Sequence, residues 1–215
     1  VVSGSIASTD LSTGYANTLA TSSASDTEMS LYIDISNGVR FNGVSSVSMA
    51  DILADNGIIH IVDAVIGLPS VVTFAVADPT FSTLVAALTR DDLTTDFVGV
   101  LSTATGTSPA PFTVFAPTND AFGSLLSELG IAGLADIDEP TLDAVLKNHV
   151  VAGANVFDTD LTDNMTVTTL GGDITANVTG GATLTDSSGK IIDIIATNVQ
   201  ADNGVIHAIN KVILP

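Results

Sequence analysis

The pattern of hydrophobic and polar positions in residues 70–215 predicts a group of helices followed by a group of strands. Apolar residues recur at helical spacing after Asp78-Pro79, Thr118-Asn119-Asp120 and Glu139-Pro140, and each site carries residues typical of a helix start. From Val150 onward, short apolar runs separated by glycine-containing turns predict strands at 165–170, 173–178, 182–185, 191–199 and 204–213. Helices first and strands afterwards predict an α+β fold.

A short β run, Phe112–Ala116, precedes the second predicted helix and is bracketed by two prolines. Gly130 is a typical end for that helix, and the third helix is expected to carry His149 on its apolar face. In residues 1–69 the pattern predicts strands only: Met29–Ile35, Val39–Met49 and Gly57–Ile66.

An internal repeat organises the chain. Two pairs of segments match in the same order, which chance does not explain: Val1–Leu11 with Val150–Leu161, and Ala54–Pro69 with Ala201–Pro215. The copies are unequal, because nothing upstream corresponds to residues 71–149. We therefore expect residues 1–69 to be the C-terminal half of one domain and residues 70–215 to be a complete second domain. The chain is expected to begin inside a domain, as a processed or truncated product.

The residues of the second copy carry a family resemblance. Phe112–Phe122 resembles the first signature of the fasciclin (FAS1) family, and Asn203–Pro215 resembles the second. Asn148-His149-Val150 falls where the family has its Tyr-His motif, with Asn148 in place of the tyrosine. The first copy has the second signature alone, in Asn56–Pro69. All motifs occur in the family's order and spacing, and the resemblance covers the whole chain.

The resemblance implies a wedge-shaped β-sandwich with helices packed along one side. It also implies adhesion between cells or between cell and matrix, in secreted or surface-attached proteins, with a protein or polysaccharide as partner. Residue by residue, it points to Asn148, His149 and Val150 as binding residues. The structural signature is carried by Thr118, Asn119, His60, Asn203, Gly204 and His207.

Charge narrows the choice of partners. The chain has 24 acidic and 5 basic side chains and a formal charge of −19. Such a surface repels phosphate backbones and anionic lipids, so neither nucleic acid nor a membrane surface is expected as a partner. It suits a saline or extracellular setting and equally an ordinary soluble acidic protein. No apolar run approaches the roughly 18–20 residues that span a bilayer. With no cysteine, disulfides and thiol nucleophiles are excluded.

Few residues are candidates for chemistry. His60 and His207 occupy equivalent positions in apolar β runs, where a histidine usually fixes the chain by hydrogen bonds, and His149 is expected to be a core histidine as well. No Gly-x-Ser-x-Gly elbow is present. We expect no cofactor and no catalytic residue.

One acidic segment leaves two alternatives open. Asp158, Asp160 and Asp163 are spaced as oxygen ligands for calcium could be, but the segment lacks the central glycine and final glutamate of an EF-hand loop. The alternative is a capped turn that leads into a strand. Asn164 and Asn177 begin glycosylation triplets, which would have no meaning in a bacterial protein.

Three candidate functions remain, and the sequence favours them in the following order. The first is an extracellular adhesion module that acts through its surface. The second is a structural subunit of a self-associating assembly, a homo-oligomer formed through the incomplete first domain. An enzyme is a distant third. The apolar face of residues 1–69 is expected to need a cover, supplied by a further segment, by a separate chain or by strand addition from another subunit.

Overall fold

The computed structural model of the protein describes residues 1–215 and contains two β-sheets. The N-terminal sheet is a five-stranded antiparallel meander in the order β1-β2-β3-β4-β5. Its strands are β1 (Gly14–Thr21), β2 (Glu28–Asp34), β3 (Arg40–Phe41), β4 (Ser45–Ala54) and β5 (Gly57–Val62). One turn of 3₁₀ helix, Ser8–Asp10, precedes it.

This sheet differs from the sequence expectation in three places. The predicted run Val39–Met49 is two strands, because Asn42 and Gly43 both adopt left-handed backbone angles and form a tight turn between them. The run Gly57–Ile66 ends as a strand at Val62. Strand β1 was not predicted, since its small and polar residues give little apolar alternation.

The C-terminal unit contains five α-helices and seven strands. The helices are α1 (Val71–Ala77), α2 (Ser82–Leu88), α3 (Phe97–Leu101), α4 (Asn119–Leu129) and α5 (Glu139–Lys147). The strands are β6 (Phe112–Pro117), β7 (Val150–Ala152), β8 (Met165–Thr168), β9 (Asp173–Asn177), β10 (Thr183–Thr185), β11 (Ile191–Ala201) and β12 (Gly204–Ile209). The sheet order is β7-β6-β12-β11-β10-β9-β8, and the fold is α+β.

The predicted helix starts lie close to those observed. Asp78 opens a 3₁₀ turn that leads into α2, Thr118 caps α4 and Asp138 caps α5. Gly130 ends α4 in a left-handed conformation. Helices α1 and α3 were not predicted. α1 is almost entirely apolar and so shows no helical period, and α3 has only five residues. His149 lies just beyond α5, not on it.

Strands β6 and β12 are neighbours inside the C-terminal sheet. They run parallel, with Val114 opposite Ile206, and every residue of both strands is buried, as predicted. The predicted run 204–213 continues as strand only to Ile209, although Val212 and Ile213 beyond it are also buried. The parallel pairing brings the first and second signature motifs side by side.

Two apolar cores flank this sheet. The larger packs the helices against it and includes Phe74, Phe122 and Leu146. The smaller is enclosed by the strands and includes Phe115 and Ile192. A small third cluster, in the N-terminal sheet, has only three buried members. None of the helices taken singly has the length and apolar character needed to cross a membrane, and only the bent pair 71–77 and 79–88, which turns by 93°, meets those two criteria together.

The N-terminal sheet packs on the C-terminal unit through β1 and β2. Tyr15 lies 5.0 Å from Tyr32 and edge-on to Phe74 at 5.5 Å, measured between ring centroids. The Tyr15 hydroxyl donates to Asp78 Oδ2 at 3.0 Å. On the neighbouring strand, the Gln200 backbone N–H donates to the Ser30 hydroxyl at 3.0 Å. These contacts bury Tyr32, which belongs to the main core of the C-terminal unit.

Candidate binding surface and the polar framework beneath it

The end of the first signature motif links α4 to α2. Thr118 Oγ1 accepts a hydrogen bond from the Ala121 N–H at 3.3 Å, which satisfies one free donor at the start of α4. Asn119 Oδ1 accepts from the Thr83 N–H at 2.9 Å, and its Nδ2 donates to the Pro79 carbonyl at 2.9 Å. Both side chains therefore hold helix ends in place.

The turn between β11 and β12 links the helices to the sheet. Asn203 is buried; its Oδ1 accepts from the Val71 N–H at 2.9 Å, and its Nδ2 donates to the carbonyls of Leu101 and Thr103 at 2.8 and 2.9 Å. Next to it, a Cβ on Gly204 would overlap the carbonyl oxygen of Phe112 and lie 2.9 Å from its nitrogen. Glycine is needed there because β6 approaches too closely for any side chain.

The two equivalent histidines make equivalent hydrogen bonds. His207 is buried, its Nε2 lies 2.9 Å from the Val156 carbonyl oxygen and its Nδ1 accepts from the Asn198 N–H at 3.4 Å. His60 Nε2 lies 3.0 Å from the carbonyl oxygen of Ile6, and its Nδ1 accepts from the Asp51 N–H at 3.4 Å. Burial lowers the pKa of His207.

The side chains of Asn148, His149 and Val150 are all buried. His149 Nδ1 lies 2.7 Å from the Val145 carbonyl oxygen, and the Ile213 N–H donates to its Nε2 at 3.0 Å. Since Ile213 N–H can only donate, the imidazole is neutral with its proton on Nδ1. Burial lowers its pKa to about 4. Both ring nitrogens are occupied, so His149 has no free position for a substrate.

The Asn148-His149-Val150 motif contacts and positions a turn at residues 169–172, which lies at the surface. The Leu170 N–H donates to the Val150 carbonyl at 2.8 Å, which joins the chain just beyond β8 to β7. Thr169 Oγ1 donates to the Gly172 carbonyl at 2.6 Å and accepts from the N–H groups of Gly171 and Gly172 at 3.1 Å. A Cβ on Gly171 would overlap the Asn148 side chain. The Leu170 side chain projects from this turn with 44% of its surface exposed.

We define the 148–172 surface as the turn 169–172 together with the three buried residues beneath it. Sequence reasoning located those three residues and the Gly171-Gly172 turn separately. It did not identify Leu170, which reads as the last residue of a predicted strand. The available signal was the pair of glycines, since a turn packed against Asn148 has room for no side chain at Gly171.

The three carboxylates considered as calcium ligands each accept hydrogen bonds from the protein, Asp160 within its own turn and Asp158 and Asp163 from distant segments. Asp158 Oδ1 accepts from Asn198 Nδ2 at 2.7 Å, and this hydrogen bond lowers the pKa of Asp158. Asp160 Oδ2 accepts from the Phe157 N–H at 2.8 Å. Asp163 accepts from the N–H groups of Val178 and Thr179 and from the Thr179 hydroxyl, which holds its pKa low. No cluster of three acidic or histidine side chains is placed to hold a metal ion. Of these contacts, the one between Asp160 and the Phe157 N–H is the cap of a turn.

The fold and its signature motifs define a fasciclin-type domain protein. The model of the fasciclin domain matches residues 1–69 and 79–215, so the chain belongs to that family. A protein of Synechocystis sp. is 38% identical over 148 residues, which is 68% of this chain and 98% of the relative. A second Synechocystis protein is 36% identical over 146 residues, 68% of this chain and 73% of that relative. The solved FAS1 domain pair of the insect cell adhesion molecule fasciclin I matches with a TM-score of 0.56 at 20% identity, covering 87% of this chain and 68% of that one.

Proposed function

We propose that the protein is an extracellular adhesion or matrix-interaction module that binds through its surface. The observation that carries the proposal is that the polar side chains of the family motifs make their hydrogen bonds within the fold. Asn203, His207, Asn119 and His149 all have their hydrogen bonds engaged within the fold. These side chains, of which all but Asn119 are buried, maintain a rigid frame, so a partner molecule can bind only to the outer surface of that frame.

The 148–172 surface is the part of that exterior we assign to binding. Leu170 is an exposed apolar side chain on a turn whose backbone is fixed at four points by Val150 and Thr169. A pre-ordered turn loses little conformational entropy on binding. In this proposal Asn148, His149 and Val150 act by positioning the turn rather than by touching the partner, which is a protein or polysaccharide at a cell surface or matrix.

The proposal is tested by attachment to an immobilised layer of the protein. Cells of Synechocystis, the organism of the two relatives described above, are applied to wells coated with a dilution series of residues 1–215. We expect attachment to rise with coating density and saturate, and soluble protein to compete with it. Attachment equal to that on albumin-coated wells at every density would contradict the proposal.

A structural subunit of a self-associating assembly is the second candidate. It is favoured by the edge of β5, which has a strand partner on one side only. The charge of −19 opposes it, because copies of the chain repel one another at distances up to the screening length, about 8 Å at physiological salt. Light scattering over a range of concentrations separates the two candidates, since only the second predicts growth of polymers.

A further inference from the structure

A crevice of about 320 Å³ lies between the N-terminal sheet and the C-terminal unit. One wall contains Tyr15 of β1 and Tyr32 of β2, and the other contains residues of β11, β12 and the segment Asp78–Phe81. No residue of β4 or β5 lines it. Its volume falls in the range of small-molecule sites, about 300–1,000 Å³, and such sites are common where two structural units meet.

The crevice results from the way the two units pack on each other. Leu31 and Ile33, on either side of Tyr32, belong to the small apolar cluster of the N-terminal sheet. Because successive side chains of a strand point to opposite faces, Tyr32 lies on the other face, with Tyr15 paired beside it. Both tyrosines therefore meet the C-terminal unit from the face opposite that cluster.

Asp78 is the one acidic or basic residue that lines the crevice, and it is only 7% exposed. Its Oδ1 accepts from the Thr80 N–H at 2.9 Å, and its Oδ2 accepts from the Tyr15 hydroxyl at 3.0 Å. Both donors are neutral, and none of the three ion pairs of the structure includes Asp78. A buried charge is normally paired with an opposite charge. Asp78 is thus a buried carboxylate without a cation, and about two of its four acceptor positions are unused.

The other groups around the crevice also suit a cation. The rings of Tyr15, Tyr32 and Phe81 line it, and aromatic rings attract organic cations through cation–π interactions. Burial and the charge of Asp78 raise the pKa of both tyrosines, that of Tyr32 to about 12, so both remain neutral at physiological pH. An anion would be repelled by Asp78 and by the formal charge of −19.

We propose that this crevice binds a small organic cation, a primary ammonium group on a short apolar stem. The ammonium group donates to the unused acceptor positions of Asp78, and the stem packs against apolar residues of β11 and β12 that include Val199, Ile206 and Ala208. A bare metal ion is a poorer fit, because Asp78 is the only carboxylate there and calcium takes about six to eight oxygen ligands. The proposal is independent of binding through the 148–172 surface, so either can fail alone.

Tyrosine fluorescence of the intact chain reports on this crevice. The chain has two tyrosines, Tyr15 and Tyr32, and no tryptophan. The probe is cyclohexylmethylammonium, and its neutral control is cyclohexylmethanol, which has the same ring and the same length. Neither compound absorbs where tyrosine does. We expect a saturable change in fluorescence with the ammonium compound and at least about tenfold weaker binding of the alcohol.

Asp78→Asn removes the charge but keeps the size of the side chain and an oxygen that can cap the Thr80 N–H. It should weaken binding of the ammonium compound by at least about tenfold and leave binding of the alcohol unchanged. Asp138→Asn is the matched control, because Asp138 also caps a helix start in the same unit, where it accepts from the Thr141 N–H at 3.0 Å. It removes the same charge and should leave binding unchanged. Melting temperatures near that of the wild type establish that both variants are folded.

Ala196→Phe tests the site without any change of charge. Ala196 is an exposed residue of β11 that lines the crevice, so a phenyl ring there can occupy the space without entering the core. We expect this variant to fold and to lose binding of the ammonium compound.

Three results would overturn the proposal: no saturable change in fluorescence, equal affinity for the ammonium compound and the alcohol, or binding that persists in folded Asp78→Asn or Ala196→Phe. An equal loss of binding with Asp138→Asn would also overturn it, because the effect would then come from the net charge of the chain rather than from Asp78.

Discussion

Two imidazoles, His207 buried and His60 half-buried, join segments of backbone where they meet. His207 donates from Nε2 to one loop and accepts at Nδ1 from a bulged position of β11, where Asn198 has a left-handed backbone. His60 repeats the arrangement with Asp51, which is also left-handed. The repeat alone predicted that the two histidines would be structural. It could not predict the carbonyl groups that accept from Nε2, because those lie 51 and 54 residues away in the chain.

Replacing His207 with alanine should lower the free energy of unfolding by about 1–3 kcal/mol, because the Val156 carbonyl loses its partner in a buried site. His60→Ala is the matched variant. It should cost less, since His60 is only half-buried and water can replace its hydrogen bonds. Urea unfolding of both variants measures the difference. A His207→Ala protein as stable as the wild type would contradict this account of the signature histidine.

His149 should make stability depend on pH. Its pKa is about 4 in the folded protein, below the usual 6.5 of an unfolded chain, because burial disfavours the charged ring. The unfolded chain therefore binds a proton first as the pH falls. Stability from this group is complete above pH 6.5 and declines by up to about 3 kcal/mol as the pH falls towards 4.

The variant His149→Gln keeps one donor and one acceptor but does not titrate, so its stability should fall less over the same window. The remaining dependence is expected from His207, whose pKa is also lowered. Thermal unfolding at several pH values between 7 and 4.5 provides the measurement. Parallel curves for wild type and variant would show that His149 is not the group responsible.

At the scale of elements, the signature motifs join neighbouring strands and helices to one another and do not form a single site. The sequence predicted β6, β12, α2, α4 and α5 close to their observed positions, since each has a cap, a proline boundary or a clear apolar period. It did not predict β1, because its Gly, Asn and Thr residues carry no alternation and the strand forms through its antiparallel pairing with β2. For such segments, tertiary contacts decide whether a strand forms.

The closeness of β6 and β12 can be tested at Gly204. A methyl group there overlaps the Phe112 backbone, so Gly204→Ala must shift β6 or β12 and should lower the free energy of unfolding by about 1–3 kcal/mol. At the equivalent Gly57 the space is open, and the same substitution should leave stability unchanged or raise it by up to about 1 kcal/mol through reduced freedom of the unfolded chain. Differential scanning calorimetry compares the two variants. Equal losses at both positions would contradict the difference in packing.

At the scale of the whole molecule, charge and apolar surface act against each other. A formal charge of −19 destabilises the compact state by self-repulsion and keeps copies apart, while the open face of β5 favours association. The family, the fold and the motif positions could be predicted from sequence. The contact of this turn with Val150, and the exposed Leu170 on it, could not, because only the folded chain brings residue 170 next to residue 150.

Salt should therefore stabilise the protein. Raising ionic strength from 0.01 to 0.15 M shortens the screening length from about 30 to about 8 Å and so weakens repulsion between the surface carboxylates. The melting temperature should rise, by about 2–4 °C for each kcal/mol of relieved repulsion. Scanning fluorimetry in a sodium chloride series, with sucrose as an uncharged control, measures the effect. A melting temperature that is flat or falls with salt would contradict it.

The measurement that tests binding through the 148–172 surface most directly compares two leucines. Leu170 and Leu129 are 44% and 53% exposed, so Leu170→Ser and Leu129→Ser remove similar apolar surface from the same unit. Cell attachment to wells coated with each variant is compared with attachment to the wild type. We predict that Leu170→Ser abolishes most of the attachment and that Leu129→Ser leaves it unchanged. Equal attachment to all three proteins, or loss with Leu129→Ser alone, would contradict the assignment of this surface.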